Sequence, residues 1–360
     1  MTESNSALVL ADLGWDAAFA AKFAAYDEHC RPGRVARVDR GACTVLTDAG
    51  LVRASAGAGV LAAMADDAAN GPCTGDWCAV REWPDGPTTI EAILPRRAAV
   101  TRADVLGRSR GQVLAANVDA VGVVVPLHPQ PSLAKMERLL ALAWESGALP
   151  VVLLTKADLV ADADLVAEDV AVAAPGVQVI CCSTVTGQGL DELRGVLGPA
   201  GTLALVGSSG VGKSSLVNAL VGAEVLATKA IREDGKGRHT SVRRELVVLP
   251  GGGAVIDTPG LRGVGLVDAD QGVAATFADV EAFVEACRFS DCSHTSEPGC
   301  AVLAAVEEGT LAVRRLESWR KLQREMAWMA MRTDARLRSE QSRKWKQISK
   351  ANRSAARTKP

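Results

Sequence analysis

The sequence predicts a multidomain chain in which a small OB-like β barrel precedes a doubly wound α/β domain and a helical Cys/His module with a basic tail. Three observations carry this. Short β-rich stretches punctuated by turns fill about Gly33 to Arg97. From Val118 apolar strands alternate with helices. After Gly260 the strands stop, helical patterns follow, and Cys287, Cys292, His294 and Cys300 cluster between them. At 360 residues the chain is too long for one compact unit of about 150 residues. The expected division is an extension over 1–32, the barrel over 33–98, the α/β domain over 99–270, the helical module over 271–325 and the tail over 326–360.

The elements follow in order. After a polar start, Leu13, Trp15, Phe19 and Phe23 mark a short amphipathic helix in which no chemistry is legible. GRVARVDRG, CTVLTDAG, GLVRASAG, DWCAVREW and, past a PDG turn, TTIEAILPR read as closely spaced strands, which suits an OB or SH3-like barrel. Then VDAVGVVV, PVVLLT, QVICCS, TLALVG, ELVVLP and GAVIDT alternate with helical stretches such as SLAKMERLLALAWESG and KSSLVNALVG. Near-continuous apolar strands between helices mean a mainly parallel sheet covered on both faces. Helices are expected around Asp279 to Arg288 and from Ala301 to Glu325, the second running into the tail.

Composition narrows the class. With 48% hydrophobic and 23% charged residues the chain is globular, and it contains no uncharged run of 18 apolar residues, so no spanning helix is expected. The N-terminus shows no basic leader before an apolar run, and a cytoplasmic chain is expected. Nine cysteines, an odd number, argue against a secreted disulfide framework. The net charge of −2 conceals an asymmetry: Arg314 to Pro360 holds 15 Lys and Arg against 4 Asp and Glu. A basic tail follows an acidic body.

GSSGVGKS (Gly207, Ser208, Ser209, Gly210, Val211, Gly212, Lys213, Ser214) follows an apolar strand and opens a helix, the setting a P-loop requires. Its glycines let backbone N–H groups approach phosphate, with Ser215 in the first helical turn. Lys213 would reach the β and γ phosphates and Ser214 would ligate Mg²⁺. DTPG ends another apolar strand, so Asp257 would hold Mg²⁺ through water and the Gly260 N–H would meet the γ phosphate; alone, such a tetrapeptide is often just a turn. Between them, IREDGKGRHTS offers Thr240 as a further Mg²⁺ ligand, or is an ordinary surface loop. TKAD gives Thr155, Lys156 and Asp158: a carboxylate at Asp158 can accept two hydrogen bonds from guanine's Watson–Crick edge and would be left unpaired by adenine. CSTVTG, with Ser183 as a further nucleotide-contacting candidate, ends the next strand where backbone amides could contact the guanine carbonyl oxygen. The base-reading TKAD precedes the phosphate-binding motifs, whereas in an ordinary Ras-like GTPase it comes last. The α/β domain is therefore read as a circularly permuted Ras-like P-loop GTPase domain. Leu261 follows Gly260, and no glutamine occurs before Gln271 to orient a water, so unaided hydrolysis should be slow.

Cys287, Cys292, His294 and Cys300 form C-x4-C-x-H-x5-C, a ligand set that suits one structural Zn²⁺; buried thiols or a disulfide are the alternatives. In the tail, Trp319, Trp328 and Trp345 interleave with Arg320, Lys321, Arg324, Arg332, Arg336, Arg338, Arg343, Lys344 and Lys346. That describes an RNA-binding arm, or a solvated helix with a disordered end.

Taken together, these motifs in this order resemble the ribosome small-subunit-dependent GTPase A family (RsgA, also called YjeQ), over nearly the whole chain. The resemblance implies a late assembly factor that binds the immature small ribosomal subunit and its rRNA, hydrolyses GTP when stimulated by it, and then leaves. It implies GTP, Mg²⁺ and Zn²⁺ as the bound groups and a monomer with no membrane or DNA partner. The base motif of the family usually reads NKxD, so Thr155 stands where an asparagine braces the base loop against the P-loop. GRHTS similarly stands for the more usual GRHTT. Two rival readings remain: a signalling or RNA-modification GTPase activated by a protein, and an RNA-binding scaffold without turnover.

Overall fold

The computed structural model describes residues 9–26, 28–102, 111–227, 244–261, 265–266 and 269–333, with side chains to residue 330. Thr240, with the rest of IREDGKGRHTS, and the tail beyond residue 333, including Trp345, lie outside them.

α1 (Ala17–Phe23) is capped by Asp16, whose carboxylate accepts from the N–H groups of Ala18 and Phe19, a cap of the usual kind. Phe19 and Trp15 pack against Trp77. The barrel comprises β1 (Cys30–Asp39), β2 (Ala42–Thr47), β3 (Gly50–Ala56), β4 (Trp77–Glu82) and β5 (Thr88–Ile93), with α2 (Ala58–Asp66) between β3 and β4. All five strands fall where the sequence placed them. The long β1 closes the barrel, its first half pairing β4 and its second half β2 across a bulge at Val35–Arg37. Val35, Val45, Ala54, Cys78, Val80 and Ile90 fill the interior, with Val60 of α2 plugging one end.

A hairpin of β6 (Ala99–Arg102) and β7 (Gln112–Ala116) leads into the α/β domain: β8 (Ala120–Pro126), α3 (Leu133–Glu145), β9 (Leu149–Thr155), α4 (Ala163–Val172), β10 (Gln178–Cys182), α5 (Leu190–Leu197), β11 (Thr202–Val206), α6 (Lys213–Val221), β12 (Glu245–Val248) and β13 (Ala254–Asp257). Strands β10, β9, β8, β11 and β13 run parallel in that spatial order, and β12 is antiparallel to β13. These strands read as unbroken apolar runs because helices cover both sheet faces. Gly122 in β8 is required by packing: a Cβ there would lie 2.8 Å from Leu153 and 2.9 Å from Leu205. β12 also pairs antiparallel with β1, so the barrel and the α/β sheet form one continuous eleven-stranded sheet.

Arg34 ties the chain's first elements together. Buried to 1% exposure, it donates to the carbonyl oxygens of Leu13, Asn117 (2.9 Å) and Gly75 (3.4 Å) and faces the Trp77 ring. Burial lowers its pKa to about 10, and three carbonyl partners compensate a guanidinium that is costly to bury.

The C-terminal module holds α7 (Asp270–Thr276), α8 (Ala278–Glu285), α9 (Ala301–Glu307) and α10 (Val313–Thr333). The helix expected from Ala301 to Glu325 is two helices, because Gly309 at φ 76° ends α9 in the left-handed region that glycine tolerates. α10 then runs across residues 325 and 326 without a break. The module is bolted to α3. Glu137, fully buried, accepts from Arg314 (2.7 Å) and Arg315 (2.9 Å). Arg315 also binds Asp279 and the carbonyls of Ala173 and Thr276, and Arg138 holds Glu325 with both ends of its guanidinium.

Candidate functional site

The carboxyl ends of β9, β10, β11 and β13 meet along one edge of the sheet, and every described nucleotide motif sits there. Asp257, the last residue of β13, lies opposite Leu205 of β11. From Val206 the chain enters the P-loop, where Gly210 and Gly212 take φ values of 80° and 105°. Those values strain any residue with a Cβ. The turn delivers Lys213 and Ser214 to the first turn of α6.

Lys213 is 7% exposed. Its ammonium donates to the carbonyls of Gly207 (3.0 Å) and Ser208 (2.9 Å), which engages two of three donors. Burial pushes its pKa below the ordinary lysine value, with Asp257 acting in opposition. The Ser214 hydroxyl donates to Asp257 Oδ2 at 2.8 Å. Two hard oxygens side by side behind a cationic loop are a donor set suited to Mg²⁺. DTPG folds against the P-loop: the Leu261 N–H donates to the Gly207 carbonyl at 3.0 Å, and a Cβ on Gly260 would fall 2.6 Å from Ser209 N. Only glycine allows that approach. Leu261 is buried, so the position after Gly260 presents packing rather than a polar side chain.

TKAD joins this pocket through Thr155. The Thr155 hydroxyl, 3% exposed, donates to the carbonyl of P-loop residue Val211 at 2.6 Å. The shorter side chain thus spans the gap expected of an asparagine. Lys156 adopts φ 63° and reaches the His128 carbonyl at 3.3 Å, which turns the chain so that Asp158 faces β10. There the fully buried Ser183 donates to Asp158 Oδ1 at 2.6 Å. Ser183 Oγ in turn accepts from the amides of Val185 and Thr186, each at 3.2 Å. Those amides fix the Ser183 hydroxyl against the Asp158 carboxylate. Nothing local in the sequence marks the Thr155–Val211 bond, which joins positions 56 apart.

The four soft ligands of the C-terminal module also converge. Cys287, Cys292, His294 and Cys300 present ligand atoms all within 4.8 Å of one another. Cys287 Sγ lies 3.9 Å from Cys300 Sγ, and His294 Nδ1 lies 3.5 and 3.6 Å from the two sulfurs. A tetrahedral zinc with bonds of about 2.3 Å to sulfur and about 2.0 Å to nitrogen requires edges of about 3.8 and about 3.6 Å. Cys287, His294 and Cys300 stand at that spacing and Cys292 within 4.8 Å of them, a set that could close on that ion, and none of these cysteines is in a disulfide. His294 is buried against Trp319 at 5.6 Å.

Trp319 corrects one expectation. Its indole N–H donates to Glu281 (2.9 Å), it is 9% exposed, and its ring meets His294, so it is a support of the Cys/His cluster and offers no face to a nucleic-acid base. Arg320 likewise donates to the His294 carbonyl. Lys321, Arg324 and Trp328 remain on the exposed side of α10.

A P-loop after β11, with the TKAD strand β9 and the DTPG strand β13 in the same parallel sheet and TKAD ahead of the P-loop in the chain, defines a circularly permuted GTPase fold. The relatives agree. Residues 93–267 match the RsgA GTPase family. The small ribosomal subunit biogenesis GTPase RsgA of Streptomyces avermitilis is 51% identical over 361 residues, covering 99% of this chain and 96% of that one. The RsgA 2 of Lactiplantibacillus plantarum is 46% identical, covering 83% and 84%. The crystal structure of YjeQ from Thermotoga maritima superposes with a TM-score of 0.59 at 27% identity, over 82% of this chain and 98% of that one. That of YloQ, a circularly permuted GTPase, shares the fold with a TM-score of 0.55. The chain belongs to the RsgA GTPase family, and it is a GTP hydrolase.

Proposed function

We propose that this GTPase acts in maturation of the small ribosomal subunit, binding the immature particle and its rRNA, hydrolysing GTP when the particle stimulates it, and dissociating afterwards. The observation that carries the nucleotide reading is the Thr155–Val211 bond, which brings the base-reading loop onto the P-loop. In this reading Asp158, oriented by Ser183, accepts from guanine; Gly207 to Ser214 cradle the phosphates with Ser215 behind them; and Lys213 supplies the cation. Ser214 would ligate Mg²⁺ and Asp257 would hold it through water, with Thr240 as a further ligand, and the Gly260 N–H would meet the γ phosphate. Bound Mg²⁺ offsets the charge that builds on the phosphates during transfer. Cys287, Cys292, His294 and Cys300 hold one structural zinc.

The partner follows from the relatives' names and from surface chemistry. RNA contact falls to the barrel and to the exposed face of α10, where Lys321 and Arg324 can neutralise phosphates and Trp328, 51% exposed, can stack on a base. Work on that particle places the chain in the cytoplasm, and among the described residues no helix is long and apolar enough to cross a membrane. The test is GTP turnover with and without purified small subunits. Stimulation of about tenfold or more supports the reading; turnover indifferent to subunits and raised by a protein fraction instead would overturn it.

A further inference from the structure

One row of directly opposed residues begins on the barrel and ends beside the P-loop. Arg37 of β1 stands opposite Glu245 of β12, Glu245 opposite Asp257 of β13, and Asp257 opposite Leu205 of β11. The first two pairings are antiparallel, and opposed residues in such pairs point their side chains to the same face with Cβ atoms roughly 5 Å apart. That face is fixed by Val247 and Val255, the next opposed pair on it, which pack with Leu216 and Val217 of α6. Glu245 and Asp257 therefore share the side of the sheet that carries Lys213 and Ser214.

Two carboxylates directly opposed on a strand pair repel each other, and the barrel supplies the relief. The Arg37 guanidinium lies 3.7 Å from Glu245 Oε1, with the two side chains 30% and 43% exposed. Arg37 is divided between two acids, since its Nε also donates to Asp39 at 3.1 Å, and Asp39 accepts in addition from Arg53 at 2.6 Å. How much negative charge Glu245 projects toward Asp257 thus depends on a residue of another domain.

We propose that Glu245 is a positioning carboxylate for the magnesium site, strengthening the pull of Asp257 on the cation, and that Arg37 of the barrel sets how strongly it does so. The proposal rests on the assignment of Mg²⁺ to Ser214 and Asp257. It gives the barrel a direct electrostatic route to the nucleotide: an anion that draws Arg37 away from Glu245 tightens the metal, with no movement of the strands required.

The test uses the full chain loaded with a fluorescent GDP, whose release rate is followed across a series of Mg²⁺ concentrations at low salt. Glu245→Gln removes a carboxylate beside the metal, leaves Arg37 on Asp39, and raises the half-saturating Mg²⁺ about threefold; Arg37→Gln exposes the carboxylate and lowers it by a similar factor. The double variant returns close to wild type, Glu245→Asp retains most of the effect of the native residue, and in about 0.5 M salt the shifts shrink. A merely structural pair would move both single variants in the same direction together with their melting temperatures. Shifts of the same sign, or none in either variant, would overturn the coupling while leaving the metal site standing. Wild-type release that ignores Mg²⁺ would overturn both.

Discussion

Thr155→Val removes one hydroxyl and keeps the shape of the side chain, which makes it a clean probe of how the base loop is held. In the native chain that hydroxyl donates to the Val211 carbonyl at 2.6 Å in a buried setting. The substitution forfeits a net hydrogen bond of about 1 kcal/mol and leaves a carbonyl with one partner fewer, for a total of about 1–2 kcal/mol. If the bond serves only the fold, the loss appears as a drop of a few degrees in melting temperature and nowhere else. If it braces the guanine-reading loop against the phosphate loop, the nucleotide must rebuild the arrangement on binding. GDP and GTP affinities then both fall by about tenfold, since about 1.4 kcal/mol corresponds to that factor. Thr155→Ser keeps the donor and should stay within about threefold of wild type. Fluorescent-GDP titration read beside a thermal melt separates the cases. A Thr155→Val chain that melts earlier but binds GDP within about twofold of wild type would refute the bracing role.

Asp158→Asn presents an amide donor to guanine's own N–H donors and should cost at least about 100-fold in GDP affinity while favouring xanthosine nucleotides, as competition binding will show. The pKa of Lys213 lies below its ordinary 10.5 because burial penalises the charged form. As pH rises through that lowered value the cation is lost and GTP affinity should fall, at a lower pH than for a free lysine, whereas a Lys213→Met chain should bind weakly without that dependence. Arg315→Leu leaves the buried Glu137 with Arg314 still bound to it, and should destabilise docking of the C-terminal module by about 3–5 kcal/mol, measured by thermal unfolding and by protease cleavage around α10. Metal analysis should find one zinc per chain, and Cys300→Ser should lose it together with the protection of α8 and α9 from hydrogen exchange.

What was legible in the sequence shares a physical cause. Strands β8, β9, β11 and β13 announce themselves because both their faces are buried, and the P-loop because Gly210 and Gly212 must take positive φ. The barrel strands were readable from their turns. The helix α2, AGVLAAMAD, was missed: four of its nine residues are alanine, and it shows little periodic contrast between a buried and a wet face. The continuation from α9 to α10 looked unbroken because helical spacing persists across Gly309, although its backbone conformation ends the first helix there. Trp319 looked like a base-stacking residue because composition registers aromatic and basic neighbours, whereas its fate is decided by Glu281 and His294 arriving from elsewhere in the chain. The Asp158–Ser183 and Arg315–Glu137 contacts link positions 25 and 178 apart, and no periodicity encodes such pairs.

Permutation alters what nucleotide exchange can pull on, and the docking of the C-terminal module decides how. The chain leaves β13 at Asp257 and next forms α7, so the strand that ends in DTPG leads into the module with no intervening domain. Yet the module is held on α3 by the Glu137–Arg315 and Arg138–Glu325 pairs and by the Gly272 N–H on Glu145. α3 itself lies between β8 and β9, the strand that ends in Thr155. Both ends of the module's attachment therefore return to the nucleotide pocket, one through Asp257 and one through the strand carrying the base reader. The clamp at α3 opposes displacement of the module relative to the sheet. A ligand biases the module only to the extent that it favours one position of the module over another against that clamp. Buried and bonded to Glu137, Asp279 and the carbonyls of Ala173 and Thr276, Arg315 ties α3, α7 and α8 together in that clamp.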